Sequence, residues 1–134
     1  MTAAHDRKTK QMASRGEGKY RVSAEVNRIG NDLLVSVWGG TRPHIGSVSV
    51  SVPRPGLTDP GDTSSTSSII NLTGHKDEIV ARLFSEKMAA AFNTNCIATA
   101  GIHIDRITEK EIDTLMNNCS RLCQHIIQQL ESTI

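Results

Sequence analysis

Two-residue alternation over residues 20–27 and again over 47–52 constrains this chain more than any other feature. Tyr20, Val22, Ala24 and Val26 share one side, and Arg21, Ser23, Glu25 and Asn27 share the other. That period places one edge of the segment in a core and the other in water, as in a half-buried strand. Gly30-Asn31-Asp32 reads as a turn and Leu33 to Trp38 as a second strand, which makes a hairpin. A third strand, Ile45 to Val52, alternates Ser47, Ser49 and Ser51 with Val48, Val50 and Val52. A chain that opens this way builds a sheet first.

The rest of the chain supplies helices. Residues 53–63, with three of the four prolines, read as a surface loop without a strand. Ser64 to Leu72 reads as a fourth strand, with Ile69, Ile70 and Leu72 as its apolar contribution. A helix opens at Gly74-His75-Lys76-Asp77 and runs to about Phe92. In it Ile79, Val80, Leu83, Phe84, Met88 and Ala91 recur at helical spacing, and Asn93-Thr94-Asn95 ends it. Cys96 to Ala100, small and β-branched, predicts a central strand. Thr108-Glu109-Lys110-Glu111 is a capping box, in which hydroxyl and carboxylate each satisfy a free backbone N–H. The final helix carries Ile112, Leu115, Met116, Cys119, Leu122, Cys123, Ile126 and Leu130 on one stripe.

The element order β-β-β-β-α-β-α predicts an α+β fold in two layers. A mixed, mainly antiparallel five-stranded sheet carries both helices on one face. The fourth strand, the helix and the fifth strand form a crossover long enough for a parallel pair. The second sheet face then needs a partner or stays polar, and a homodimer is one way to bury it. Residues 1–18, polar and basic, read as a disordered tail; residues 19–134 form the single domain, as 134 residues allow.

Composition excludes several function classes. A net charge of +1 does not support nucleic-acid binding. Four aromatics, Tyr20, Trp38, Phe84 and Phe92, are too few for a sheet that stacks RNA bases. No apolar run reaches membrane-spanning length, and the N-terminus lacks the apolar segment of a signal peptide. The three cysteines, Cys96, Cys119 and Cys123, sit in apolar stretches; their odd number points to buried free thiols and a reducing, cytoplasmic setting.

Three clusters gather unusual residues at strand ends: Gly39-Gly40-Thr41-Arg42-Pro43-His44-Ile45-Gly46, Gly74-His75-Lys76-Asp77 and Ala100-Gly101-Ile102-His103-Ile104-Asp105. Glycines admit close backbone approach, and a helix starting at His75 offers unpaired N–H groups to a phosphate. Arg42 and Lys76 add formal charge. Each cluster also has a plain structural reading. Gly39-Gly40 reads equally as a bulge, His44 as a capping or buried histidine, and Gly74-His75 as a strand-to-helix turn. His103 reads as an outward-pointing residue and Asp105 as a turn former. What favours a site is that strand ends feeding helices are where open sheets bind ligands. His44, His75, His103 and Asp105 could also hold a metal, though without the paired spacing of a zinc motif. The hydroxyls of Ser64 to Ser68 fit a phosphate or a serine-rich strand edge, and no nucleophile motif is present.

In order and spacing these clusters resemble the LpdD-like family of prenylated-flavin chaperones, accessory proteins of gallate or related decarboxylases. Gly74-His75-Lys76-Asp77-Glu78 followed by Gly101-Ile102-His103-Ile104-Asp105 carries most of the likeness, which covers roughly residues 20–130. The family is similar in fold to proteasome-assembly chaperones. The resemblance implies a cytoplasmic accessory protein rather than an enzyme. Such a protein binds prenylated FMN (or FMN) and assists its delivery to, or maturation in, a UbiD-type decarboxylase. Its partners would be the decarboxylase catalytic subunit, a flavin prenyltransferase and a second copy of the chain. The cofactor-binding residues would be Gly39, Gly40, Arg42, His44, Gly74, His75, Lys76, His103 and Asp105, with the phosphate near Gly74, His75 and Lys76. Two other readings stay open: a small metal-dependent enzyme or accessory subunit using His44, His75, His103 and Asp105, and a purely structural assembly subunit. A flavin also asks for an apolar wall, and only Trp38 lies close in sequence to a cluster.

Overall fold

The computed structural model describes residues 9–59, 61–72 and 76–132. Strands β1 (Lys10–Arg15), β2 (Val22–Ile29), β3 (Asp32–Gly40), β4 (Ser47–Pro55) and β5 (Thr63–Asn71) precede helix α1 (Lys76–Phe92), strand β6 (Cys96–His103) and helix α2 (Glu109–Glu131). The strands form one six-stranded sheet in the order β1-β2-β3-β6-β4-β5. Every neighbouring pair is antiparallel except β3 with β6. Helix α1 covers β4, β5 and β6, while α2 covers β1 and β2. The α+β class and the two helices on one face are as the sequence predicts.

Four expectations are corrected. The tail predicted as disordered over residues 1–18 contains β1, which pairs with β2 from Lys10↔Asn27 to Arg15↔Val22; residues 1–8 lie outside the described residues. The sheet therefore has six strands and not five. Tyr20 belongs to a short 3-10 turn (Gly18–Tyr20) and not to the first predicted strand. The loop over 53–63 shrinks, because β4 runs on to Pro55 and β5 starts at Thr63. The β4–β6 ladder stops at Ser51, so Pro53 and Pro55 sit where β4 has a partner on one side only, as proline requires. The crossover through α1 holds but skips a strand: β5 and β6 run parallel with β4 between them, antiparallel to both, and the parallel neighbour of β6 is β3.

Local chemistry explains the main elements. Gly30 takes φ 62° at the first turn position between β2 and β3, as a type II′ hairpin needs. In α2 both halves of the capping box form: Thr108 accepts from the Glu111 N–H, and the Glu111 side chain accepts from the Thr108 N–H. Between the layers Phe84, Met88, Leu122 and Ile126 are fully buried, each contributing about 1.5–3 kcal/mol relative to exposure. On β4 the serines, and not the valines, face the helices. Ser47, Ser49 and Ser51 are buried, and Ser85 Oγ on α1 lies 2.7 Å from both Ser49 Oγ and Ser51 Oγ. Paired hydroxyls avoid the cost of burying them alone, and they send Val50 and Val52 to the uncovered face.

Inserting β6 between β3 and β4 has one further effect. The β3–β4 connection must pass over the C-terminal end of β6. The register sets Gly40 opposite His103 and Ser47 opposite both Ala100 and Asn71. The ends of β3, β5 and β6 and the starts of β4 and α1 therefore meet at one edge of the molecule. No helix among the described residues is long and apolar enough to cross a membrane.

Candidate functional site

The β3–β4 connection is stitched onto the end of β6. His103 O accepts from Thr41 N at 2.7 Å and from Arg42 N at 3.3 Å, and Ala100 O accepts from Gly46 N at 2.9 Å. Glycine makes this proximity feasible. A Cβ at Gly101 would strike the His44 carbonyl, and one at Gly40, where φ is 79°, would strike the His103 carbonyl. Gly39 is likewise pressed against the Arg21 carbonyl. Gly39 and Gly40 thus serve the close approach of backbone to backbone.

Two side-chain groups result. On the surface, Asp105 Oδ1 accepts from Arg42 Nη2 and lies on His103 Nε2, both at 2.8 Å. The hydrogen bond from His103 and the charge of Arg42 hold the Asp105 carboxyl below the usual carboxylate range. Beneath them, Asp77 is buried in the first turn of α1. Its Oδ1 accepts from the Ile102 N–H at 3.0 Å, and its Oδ2 lies 2.9 Å from His44 Nε2. His44 Nδ1 in turn lies 3.1 Å from the Arg42 carbonyl. Both ring nitrogens of His44 therefore face protein oxygens. His44 ties the connection to α1 and has no nitrogen left for a ligand.

Beside Asp77 an apolar cleft of about 40 Å³ opens between the starts of α1 and α2. Val80, Leu115 and Cys119 form its buried floor, and Ile102, Ile107, Ile112 and Met116 its half-buried walls. Lys76, the first residue of α1, is exposed at its lip and makes no ion pair among the described residues.

The structure thus brings Arg42, His44, Lys76, His103 and Asp105 to one edge, with Gly39 and Gly40 as the packing that allows it. Gly74 and His75 lie outside the described residues. Sequence reasoning missed the pairing of Asp77 with His44. It also missed the apolar wall, because Ile112, Leu115 and Met116 read as ordinary helix stripe; Gly46 and Gly101, glycines flanking the His44 segment and Ile102, were the available signal. Among the described residues no three His, Cys, Asp or Glu side chains stand together as a metal site would need.

Comparison with known proteins adds three findings. A family model described as the prenylated flavin chaperone LpdD-like domain matches residues 16–131. Protein LpdD of Lactiplantibacillus plantarum is 31% identical over 113 residues, spanning 84% of this chain and 79% of that protein. A chain from the crystal structure of a chaperone complex for yeast 20S proteasome assembly matches with a TM-score of 0.56. That match covers 94% of this chain and 98% of the other at 14% identity, a likeness of fold.

Proposed function

Because the chain belongs to the prenylated flavin chaperone LpdD-like family, we propose that it is a non-catalytic chaperone for prenylated FMN. It assists delivery of that cofactor to, or its maturation in, a UbiD-type decarboxylase. The observation that carries this reading is the meeting of cationic groups and an apolar wall at one edge of the sheet. Lys76 supplies charge for a phosphate and begins α1, whose first N–H groups lack intrahelical partners. The ring system lies across the mouth of the cleft, since about 40 Å³ is far too small to enclose it. Ile102, Ile107, Ile112 and Met116 form its apolar support. Arg42 and His103, held by Asp105, face its polar edge.

The residues present fit such a ligand: a cation for the phosphate, apolar surface for the ring, and no activated nucleophile among the groups named. The partners in this reading are the decarboxylase catalytic subunit and the flavin prenyltransferase, in the cytoplasm. A second copy of the chain covers the open sheet face. There the β6-β4-β5 half exposes Val50, Val52, Ile70 and Ile97, while the β1-β2 half carries the Lys10–Glu25 ion pair and the Ser14–Ser23 contact. A two-fold pairing through the β6-β4-β5 halves leaves the β1-β2 halves, where Met12 is exposed between those polar pairs, in water.

The test is activation of an apo-decarboxylase of the UbiD type by limiting prenylated FMN, under nitrogen, with and without this protein. The reading expects faster or fuller activation with the protein present. Identical activation curves would count against it.

A further inference from the structure

The geometry points to the apolar cleft as the subsite for the isoprenoid carbons of a prenylated flavin, and so as the feature that separates this ligand from unprenylated FMN. The assignment rests on the flavin-chaperone reading above and extends it to a specificity determinant.

Size is the first argument. The cleft holds about 40 Å³, and one water-sized group needs on the order of 10–15 Å³ by the same measure, so there is room for roughly three such groups. An isoprenoid unit ends in a carbon bearing two methyl groups, which is three heavy atoms. Unprenylated FMN offers apolar carbon only as two methyl groups in the plane of its benzenoid edge, and has no tetrahedral dimethyl carbon to place there.

Chemistry is the second argument. The floor, Val80, Leu115 and Cys119, is buried and uncharged. Burial pushes the Cys119 thiol up to about 12, so it stays a neutral, weakly polar group. The walls are Ile and Met side chains. The polar side chains at the lip are Lys76 and Asp77, and both oxygens of Asp77 are already engaged by His44 and Ile102. Water in this cleft finds too few partners, whereas a branched hydrocarbon loses nothing there. Lys76 at the same lip sets a cation beside the apolar floor.

The experiment is an anaerobic binding titration of the whole chain with prenylated FMN and with FMN, followed by flavin absorbance and fluorescence. Burying three apolar heavy atoms corresponds to a preference for the prenylated form of about 10- to 100-fold. Ile112→Ser, which makes a wall polar, brings the two affinities to within about threefold of each other. Val80→Leu, which fills the floor, does the same, and either variant suffices should the other fold poorly. Equal wild-type affinities for both flavins would overturn the cleft assignment and leave a flavin site standing. Unchanged preference in a folded variant would overturn it as well. Wild-type protein that binds neither flavin would overturn the chaperone reading itself.

Discussion

Nε2 of His44 lies 2.9 Å from Oδ2 of Asp77, and the other oxygen of that carboxylate takes the Ile102 N–H at 3.0 Å. One buried side chain in the first turn of α1 thereby fastens the β3–β4 connection and the end of β6 to the helix. His44, Asp77 and Ile102, one from each of the three sequence clusters, meet at this fastening. The exposed Arg42–Asp105–His103 group is then carried at a fixed place above it.

Replacing Asp77 tests that role. Asp77→Ala leaves the half-buried Ile102 N–H and the His44 ring without their acceptor and should cost about 1–3 kcal/mol in urea unfolding. Asp77→Asn keeps an acceptor for Ile102 and should cost about half as much or less. Equal losses for the two variants would show that the Ile102 contact contributes nothing.

Gly101→Ala should be among the more damaging small substitutions in the molecule. The added methyl meets the His44 carbonyl, a backbone atom that cannot rotate away. The connection must shift, at a cost of about 1–3 kcal/mol, and flavin affinity should drop with it. Amide chemical-shift changes centred on residues 41–46 would register the displacement; a silent substitution would refute the close approach.

Acid should loosen the packing of the 3-10 turn onto α2. The Lys19 ammonium, the Thr108 N–H and the Tyr20 hydroxyl hold the Glu111 carboxyl at about 2, below its ordinary 4.5. The folded-state value is depressed, so this stabilisation is present above about pH 4.5 and lost as pH falls towards about 2. Glu111→Gln keeps a capping-box side chain but loses the ion pair. Its melting temperature should fall less steeply than that of the wild type across that window. Parallel curves would contradict the assignment.

The thiols should be inert in the native protein. Burial raises Cys96, Cys119 and Cys123 each to about 12, which leaves almost no thiolate at neutral pH. A chromogenic thiol reagent should react with all three only after denaturant is added. Rapid native labelling would place at least one at the surface.

The uncovered sheet face makes a prediction about assembly. Val52→Glu and Ile70→Glu put charge at positions 52% and 65% exposed in the single chain, so neither should destabilise a monomer greatly. Sedimentation should show the wild type as a dimer and either variant shifted towards monomer. A wild type that sediments as a monomer at all concentrations would remove the second copy from the account.

How much of this was legible in the sequence differs between elements, for physical reasons. Helix α2 was readable in full because its capping box and apolar stripe are local patterns. Strand β1 was not: its alternation is of polar residues, and it exists because β2 offers an unpaired edge and Lys10 finds Glu25. The serine–valine alternation of β4 fixed its period but not its orientation, which depends on Ser85 arriving from α1. In the first and third clusters, glycine beside histidine marked strand ends that the fold brings together. Which nitrogen meets which oxygen is set by the insertion of β6 between β3 and β4, a long-range fact that no local pattern encodes. The apolar wall stayed hidden because the α2 residues that line it belong to the same stripe that fills the core.

The most direct test of the central claim is co-expression with a flavin prenyltransferase and purification of the chain under nitrogen. The account predicts a prenylated-flavin chromophore that stays with the wild-type protein through gel filtration and is lost from Arg42→Ala and His103→Ala. A colourless wild-type protein that also fails to take up added prenylated FMN would contradict it.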